Sequence, residues 1–156
     1  MAVYLGDDRG ETGCRAAVAD AAGPRLGEAS AGPTNIVTDP ESARANILAA
    51  ARIALGGHGA LADLHAVLGL AEANVPEYVA RLARDLSFAS VRIVNDSVIA
   101  LKGAIGEAYG VTATLGTGTV FAGQREGEVR VIGGWGLLLG MSRAAHGWAG
   151  RFCPGR

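Results

Sequence analysis

Cysteine is scarce in this chain. Cys14 and Cys153 are too few for a disulfide scaffold and too isolated for a metal site, so both read as plain thiols. Clustered basic residues are missing as well. Lys and Arg are scattered and the formal net charge is −1, which argues against a face for nucleic acid or anionic lipid. No apolar run approaches the length that spans a membrane. The opening Met1-Ala2-Val3-Tyr4-Leu5-Gly6-Asp7-Asp8 lacks a charged segment followed by a long apolar one, so no signal peptide is read and the expected location is the cytoplasm.

What is present suits a folded domain. Of the 156 residues, 49% are hydrophobic and 19% charged, enough for one modest core. The 24 glycines follow no period, which removes a repeat or a collagen-like chain. They gather at the ends of apolar runs, where tight turns or a closely approaching ligand would need them.

Val3 to Leu5, Arg15 to Ala19 and Leu26 to Ala31 read as short strands of an antiparallel meander, with Gly23-Pro24 turning between the last two. Thr38-Asp39-Pro40-Glu41 opens a helix. Thr38 is expected to cap the free amides and Pro40 sits where no amide bond is needed. Ala43, Ile47, Ala50, Ala51 and Ala54 share one face of that helix, and Gly56-Gly57 ends it. Ala66 to Leu70 shows no alternation, as for a strand covered on both faces.

Asn74-Val75-Pro76-Glu77 opens a second helix in the same manner, with Val79, Leu82, Ala83 and Leu86 facing inward. Val91 to Val94 reads as a buried strand, leading through Asn95-Asp96 into a helix that carries Ile99, Ala100, Gly103 and Ala104. Val111 to Leu115, Thr119 to Ala122 and Val129 to Ile132 then read as strands joined by glycine-rich turns. The sum is a mixed α/β chain with a boundary near residues 106–110.

Four segments could carry chemistry. Gly6-Asp7-Asp8-Arg9-Gly10-Glu11-Thr12, between the first two strands, could let amides approach phosphates while a carboxylate holds Mg²⁺ through water; taken alone it reads more readily as a hairpin turn. Leu115-Gly116-Thr117-Gly118-Thr119 offers bare backbone and hydroxyls to phosphate, or is again a turn. Asn95-Asp96 could supply a base to a substrate hydroxyl, or cap a helix, and one residue can do both. Gly133-Gly134-Trp135-Gly136 could cover a sugar face or fill a gap. Asn35, in Ala31-Gly32-Pro33-Thr34-Asn35, could bond sugar hydroxyls or shape a turn.

Taken in order, these segments resemble the BadF/BadG/BcrA/BcrD-type ATPases over essentially residues 1 to 140, and more closely their N-acetylglucosamine and glucosamine kinase branch. The resemblance implies an actin-like ATPase in which ATP and Mg²⁺ lie between two ribonuclease-H-like lobes. Residues 1–108 would form the N-terminal lobe and 109–140 the start of the second. It further implies that Asp8 is the acidic residue of the first phosphate loop, with water-mediated Mg²⁺, and that Gly10 and Thr12 are loop positions. Gly116, Thr117 and Gly118 would form the second phosphate loop and Asp96 the base. Asn35, Asn95, Gly134 and Trp135 would surround the sugar. The implied partners are ATP and a small sugar, with a homodimer compatible and neither nucleic acid nor membrane among them.

The chain departs from the family pattern in two places. Asp7 stands for a hydrophobic residue in the first loop, Arg9 and Glu11 for glycines, and Glu72 for a further glycine. A negative side chain and lost backbone freedom beside phosphate imply a damaged site. After Gly140 the family continues Asp-Glu-Gly-Ser-Gly, whereas this chain runs Met141-Ser142-Arg143-Ala144-Ala145-His146-Gly147-Trp148. Codons for Gly-Asp-Glu displaced by a single base give Met-Ser after Gly, so residues 141–156 are expected to be an out-of-frame tail without inherited roles. Three functions follow: an amino-sugar kinase, a non-catalytic fragment of one, or an activator ATPase. The last needs cluster-binding cysteines, and Cys14 and Cys153 do not supply them.

Overall fold

The computed structural model describes residues 3–10, 13–71, 73–115 and 119–133. The chain separates into two compact units, Met1–Asp96 and Ser97–Arg156.

The first unit is built on a five-stranded sheet of β1 (Val3–Gly10), β2 (Gly13–Asp20), β3 (Arg25–Ala31), β4 (Leu64–Leu70) and β5 (Ser90–Asn95), in the order β3-β2-β1-β4-β5. β2 runs antiparallel to β1 and to β3, while β4 runs parallel to β1 and β5 parallel to β4. The expected meander is present, but β1 is longer than Val3 to Leu5. Gly6 pairs with Ala17 and Gly10 with Gly13, so most of the expected loop is strand. β4 pairs with β1 as far as Asp8, so two neighbours outweigh the weak strand preference of Gly and Asp.

Helix α1 (Pro40–Leu55) crosses from β3 towards β4, and a short 3₁₀ turn, Leu61–Asp63, precedes β4. Its cap is Asp39 rather than Thr38: the Asp39 carboxylate accepts the Ser42 amide at 3.1 Å. Helical backbone begins at Pro40, so the capping position falls on Asp39, while the Thr38 amide donates to the Asn35 side chain. The predicted inner face is correct, since Ala43, Ile47, Ala50, Ala51 and Ala54 are all buried. They pack with Cys14, Ala16 and Val18 of β2 and with Leu64, Ala66 and Leu68 of β4. Alanine keeps that face shallow, and α1 comes so close to β3 that a Cβ on Gly27 would collide with the Ala54 carbonyl oxygen.

Helix α2 (Pro76–Asp85) buries Leu82, with Leu86 buried just beyond its end. Its start differs from that of α1. Val75 occupies the cap with no side-chain bond, because Asn74 lies one residue too early. In β4, Val67 is 38% exposed between buried Ala66 and Leu68, so this strand is covered on one face there and open on the other.

The second unit holds α3 (Asp96–Ile105) and the antiparallel strands β6 (Gly110–Leu115), β7 (Thr119–Arg125) and β8 (Glu128–Gly133). The buried positions of α3 are Ser97 and Leu101, whereas Ala100, Gly103 and Ala104 are exposed. Arg125 pairs with Glu128 across the two-residue turn Glu126-Gly127, both at positive φ as such hairpins require. Gln124 is buried, and its Nε2 donates to the carbonyls of Gly106 and Ala108 at 3.1 Å each, tying β7 to the loop after α3.

Gly27→Ala should destabilise the first unit by about 2 kcal/mol in urea unfolding, since the backbone oxygen it meets cannot move aside cheaply. The Asp39 carboxyl is held below the usual carboxylate range by hydrogen bonds from the Ser42 side chain and then its amide. A lowered folded-state pKa gives stability that is complete above the unfolded value and lost as pH falls through the folded one. Asp39→Asn should therefore flatten the acid limb of the stability–pH curve while changing neutral stability little.

Candidate active site

β1, β3, β4 and β5 all run in one direction, because each is parallel to its neighbour or twice reversed through β2. Their carboxyl ends therefore share one edge of the sheet. Four segments leave that edge: the Gly10–Gly13 connection, Gly32 to Asn35 after β3, the chain after Leu70, and Asn95-Asp96 after β5. In open α/β sheets this is the edge where ligands bind.

Register places the candidate carboxylates on either side of β4. Asp8 pairs with Arg15 on one side and Gly69 on the other, and Gly69 pairs with Val94. The backbones of Asp8 and Val94 are thus two strand spacings apart, about 10 Å. The strand between them carries Gly69 at that level. Asp96 follows Asn95 directly and is the first residue of α3.

The segment Gly32 to Asn35 is held by a set of bonds. The Cys14 amide donates to the Gly32 carbonyl at 3.2 Å. Asn46, from α1, donates Nδ2 to the Pro33 carbonyl at 2.7 Å. The Asn35 Oδ1 accepts from the amides of Val37 at 3.0 Å and Thr38 at 2.9 Å. Turn-shaping, one of the two readings of Asn35, is therefore present in the structure. It uses the oxygen and leaves the Nδ2 hydrogens for a second partner. Thr34, between them, is fully buried, and its hydroxyl has no hydrogen-bond partner among the described residues.

Several candidates lie elsewhere. Thr12, Gly116, Thr117, Gly118, Gly134 and Trp135 fall outside the described residues, as do Glu11, Glu72 and the tail 141–156. Leu115 pairs with Thr119, so Gly116 to Gly118 form the connection between β6 and β7. Asp7 pairs with Ala16 and Leu68, both buried. Cys14 is a buried thiol of the core. Among the described residues no group of three His, Cys, Asp or Glu could hold a metal, and no helix is long and apolar enough to cross a membrane.

Comparison with known proteins bears on this arrangement. No family model matches the chain. Over 140 residues it is 33% identical to the glucosamine kinase GspK of Vibrio cholerae, covering 86% of this chain and 47% of that protein. A crystal structure from Chromobacterium violaceum, assigned as an N-acetylglucosamine kinase, superposes with a TM-score of 0.77 at 23% identity. A second, from Porphyromonas gingivalis and assigned likewise, gives 0.60 at 17%. Each covers 90% of this chain, which in turn covers 51% and 50% of theirs. The likeness in fold is that of a ribonuclease-H-like lobe. The chain spans about half the length of the relatives it matches.

Two residues at the lobe's carboxyl edge escaped sequence reading. Asn46 carried a weak signal: a poor helix former in the interior of an alanine-rich helix has a reason to be there. Thr34 carried none, since only the fold reveals that its hydroxyl is enclosed. Replacing an enclosed, unpaired hydroxyl by a methyl removes a desolvation penalty of about 1–3 kcal/mol. Thr34→Val should raise the melting temperature of the lobe; a fall would mean that the hydroxyl has a partner, such as a buried water.

Proposed function

We propose that this chain supplies the N-terminal lobe, residues 1–108, and the first strands, 109–140, of an ATP-dependent kinase acting on glucosamine or N-acetylglucosamine. The observation that supports this reading best is that Asp8, Asn35, Asn95 and Asp96 leave or approach one sheet edge. The 33% identity to a glucosamine kinase supports an amino sugar as the substrate class.

In this reading Asp96 accepts the proton of the sugar hydroxyl as that oxygen attacks the γ-phosphorus of ATP. Asn35 and Asn95 hold neighbouring hydroxyls and fix the attacking oxygen in line, where positioning supplies much of the rate. Trp135 and Gly134 complete the sugar site. Gly10 and Thr12 offer an amide and a hydroxyl to the phosphates, and Gly116, Thr117 and Gly118 form a second phosphate loop. Asp8 would hold Mg²⁺ through water, as a carboxylate of the first phosphate loop. When bound, Mg²⁺ neutralises the phosphate charge.

The substitutions in the first loop weaken this chain as a catalyst. Glu11 brings negative charge towards phosphate, and Arg9 puts a long side chain where the family pattern has glycine. A coupled assay for ADP tests the reading. Release should be slow, dependent on glucosamine or N-acetylglucosamine, and faster when Arg9→Gly and Glu11→Gly are combined. Asp96→Asn in that background should lower the rate by about a hundredfold or more. Sugar-independent ADP release, or a rate indifferent to Asp96→Asn, would contradict the proposal.

A further inference from the structure

We infer that Asn46 is the positioning residue that sets how Asn35 is presented to the sugar, an inference that rests on the reading of Asn35 as a sugar contact. Asn46 lies on α1, eleven positions beyond Asn35, and belongs to none of the segments that resemble a kinase motif. Its Nδ2 donates to the Pro33 carbonyl at 2.7 Å, the shortest distance among the bonds that hold this segment. A proline nitrogen cannot donate, so Pro33 offers the backbone only its carbonyl, and Asn46 takes it.

The preceding residue is fitted to the same side chain. A Cβ on Gly32 would lie 2.8 Å from Asn46 Nδ2 and 3.2 Å from its Oδ1. Gly32 is therefore open space that the Asn46 amide uses to reach Pro33. Downstream, the Asn35 Oδ1 is committed to the amides of Val37 and Thr38, and the Asp39 amide donates to the Asn35 carbonyl at 3.1 Å. The Asn35 side chain cannot turn over without breaking two bonds. Its Nδ2 thus points wherever the turn points, and the turn is tied to α1 through Pro33. Asn46 fixes the direction in which Asn35 donates, without touching sugar itself.

Two substitutions break this link from opposite sides. Asn46→Asp keeps size but replaces the donor by an acceptor facing a carbonyl, and Gly32→Ala pushes the intact amide away. Both should weaken glucosamine binding, measured by calorimetry on the full chain, about tenfold while the circular dichroism spectrum is kept. Both should also speed hydrogen exchange of the Val37 and Thr38 amides, which a loss of core packing alone would not single out. Wild-type affinity in both variants would overturn the inference and leave the kinase reading standing. Absence of glucosamine binding by the wild-type chain would instead remove the kinase reading. In that case unchanged exchange at Val37 and Thr38 in Asn46→Asp would show that Asn46 does not hold the turn either.

Discussion

The parallel pairing of β1 with β4 is the constraint on which the rest of the first unit depends. An antiparallel β4 would send Leu70 to the far edge of the sheet, away from the Gly10–Gly13 connection, and would take β5 and Asp96 with it. Parallel pairing needs a crossover of a dozen or more residues. The chain from Gly32 to Asp63 provides it, with α1 as its body. The same pairing sets Gly69 beside Asp8. One choice of strand direction thereby brings the candidate segments to one edge.

The crossover does more than return the chain. Because α1 presents alanines to the sheet, it settles close over β2 and β3, and Gly27 is the matching concession in the sheet. Closeness brings Asn46 within reach of the segment that leaves β3. A helix with leucines on that face would stand farther off and could not make a 2.7 Å bond to the Pro33 carbonyl. Packing density in the core is in this way coupled to the pose of a polar side chain at the edge. The Asn35 turn is the point where the two meet.

Much of this was legible in the sequence where the signal is local. Proline and glycine punctuate the chain at α1 and at the hairpins, and the inner face of α1 could be read residue by residue from its spacing. What failed were choices that two neighbours could each satisfy. Thr38 and Asp39 are both good caps, and the start of helical backbone at Pro40 puts Asp39 in the capping position. The length of β1 was misread because glycine and aspartate are poor strand formers, and only pairing with β4 as far as Asp8 and with β2 as far as Gly10 extends it. The covered strand expected at Ala66 to Leu70 is open at Val67, because coverage belongs to the assembled unit rather than to the strand. For the site, the order of motifs pointed to the carboxyl edge of the sheet, while Asn46 gave only a weak signal because its partner is a backbone carbonyl thirteen residues away.

The central claim is that nucleotide binds at the carboxyl edge of this sheet. The most direct measurement is the selective broadening of amide resonances by Mn²⁺-ATP, with the paramagnetic ion standing in place of magnesium. The account predicts strong broadening at Gly13, Gly69 and Asn95, with the turn at Gly23 and the end of α1 at Gly56 unaffected. Broadening centred on Gly23 and Gly56, at the opposite edge, would contradict it.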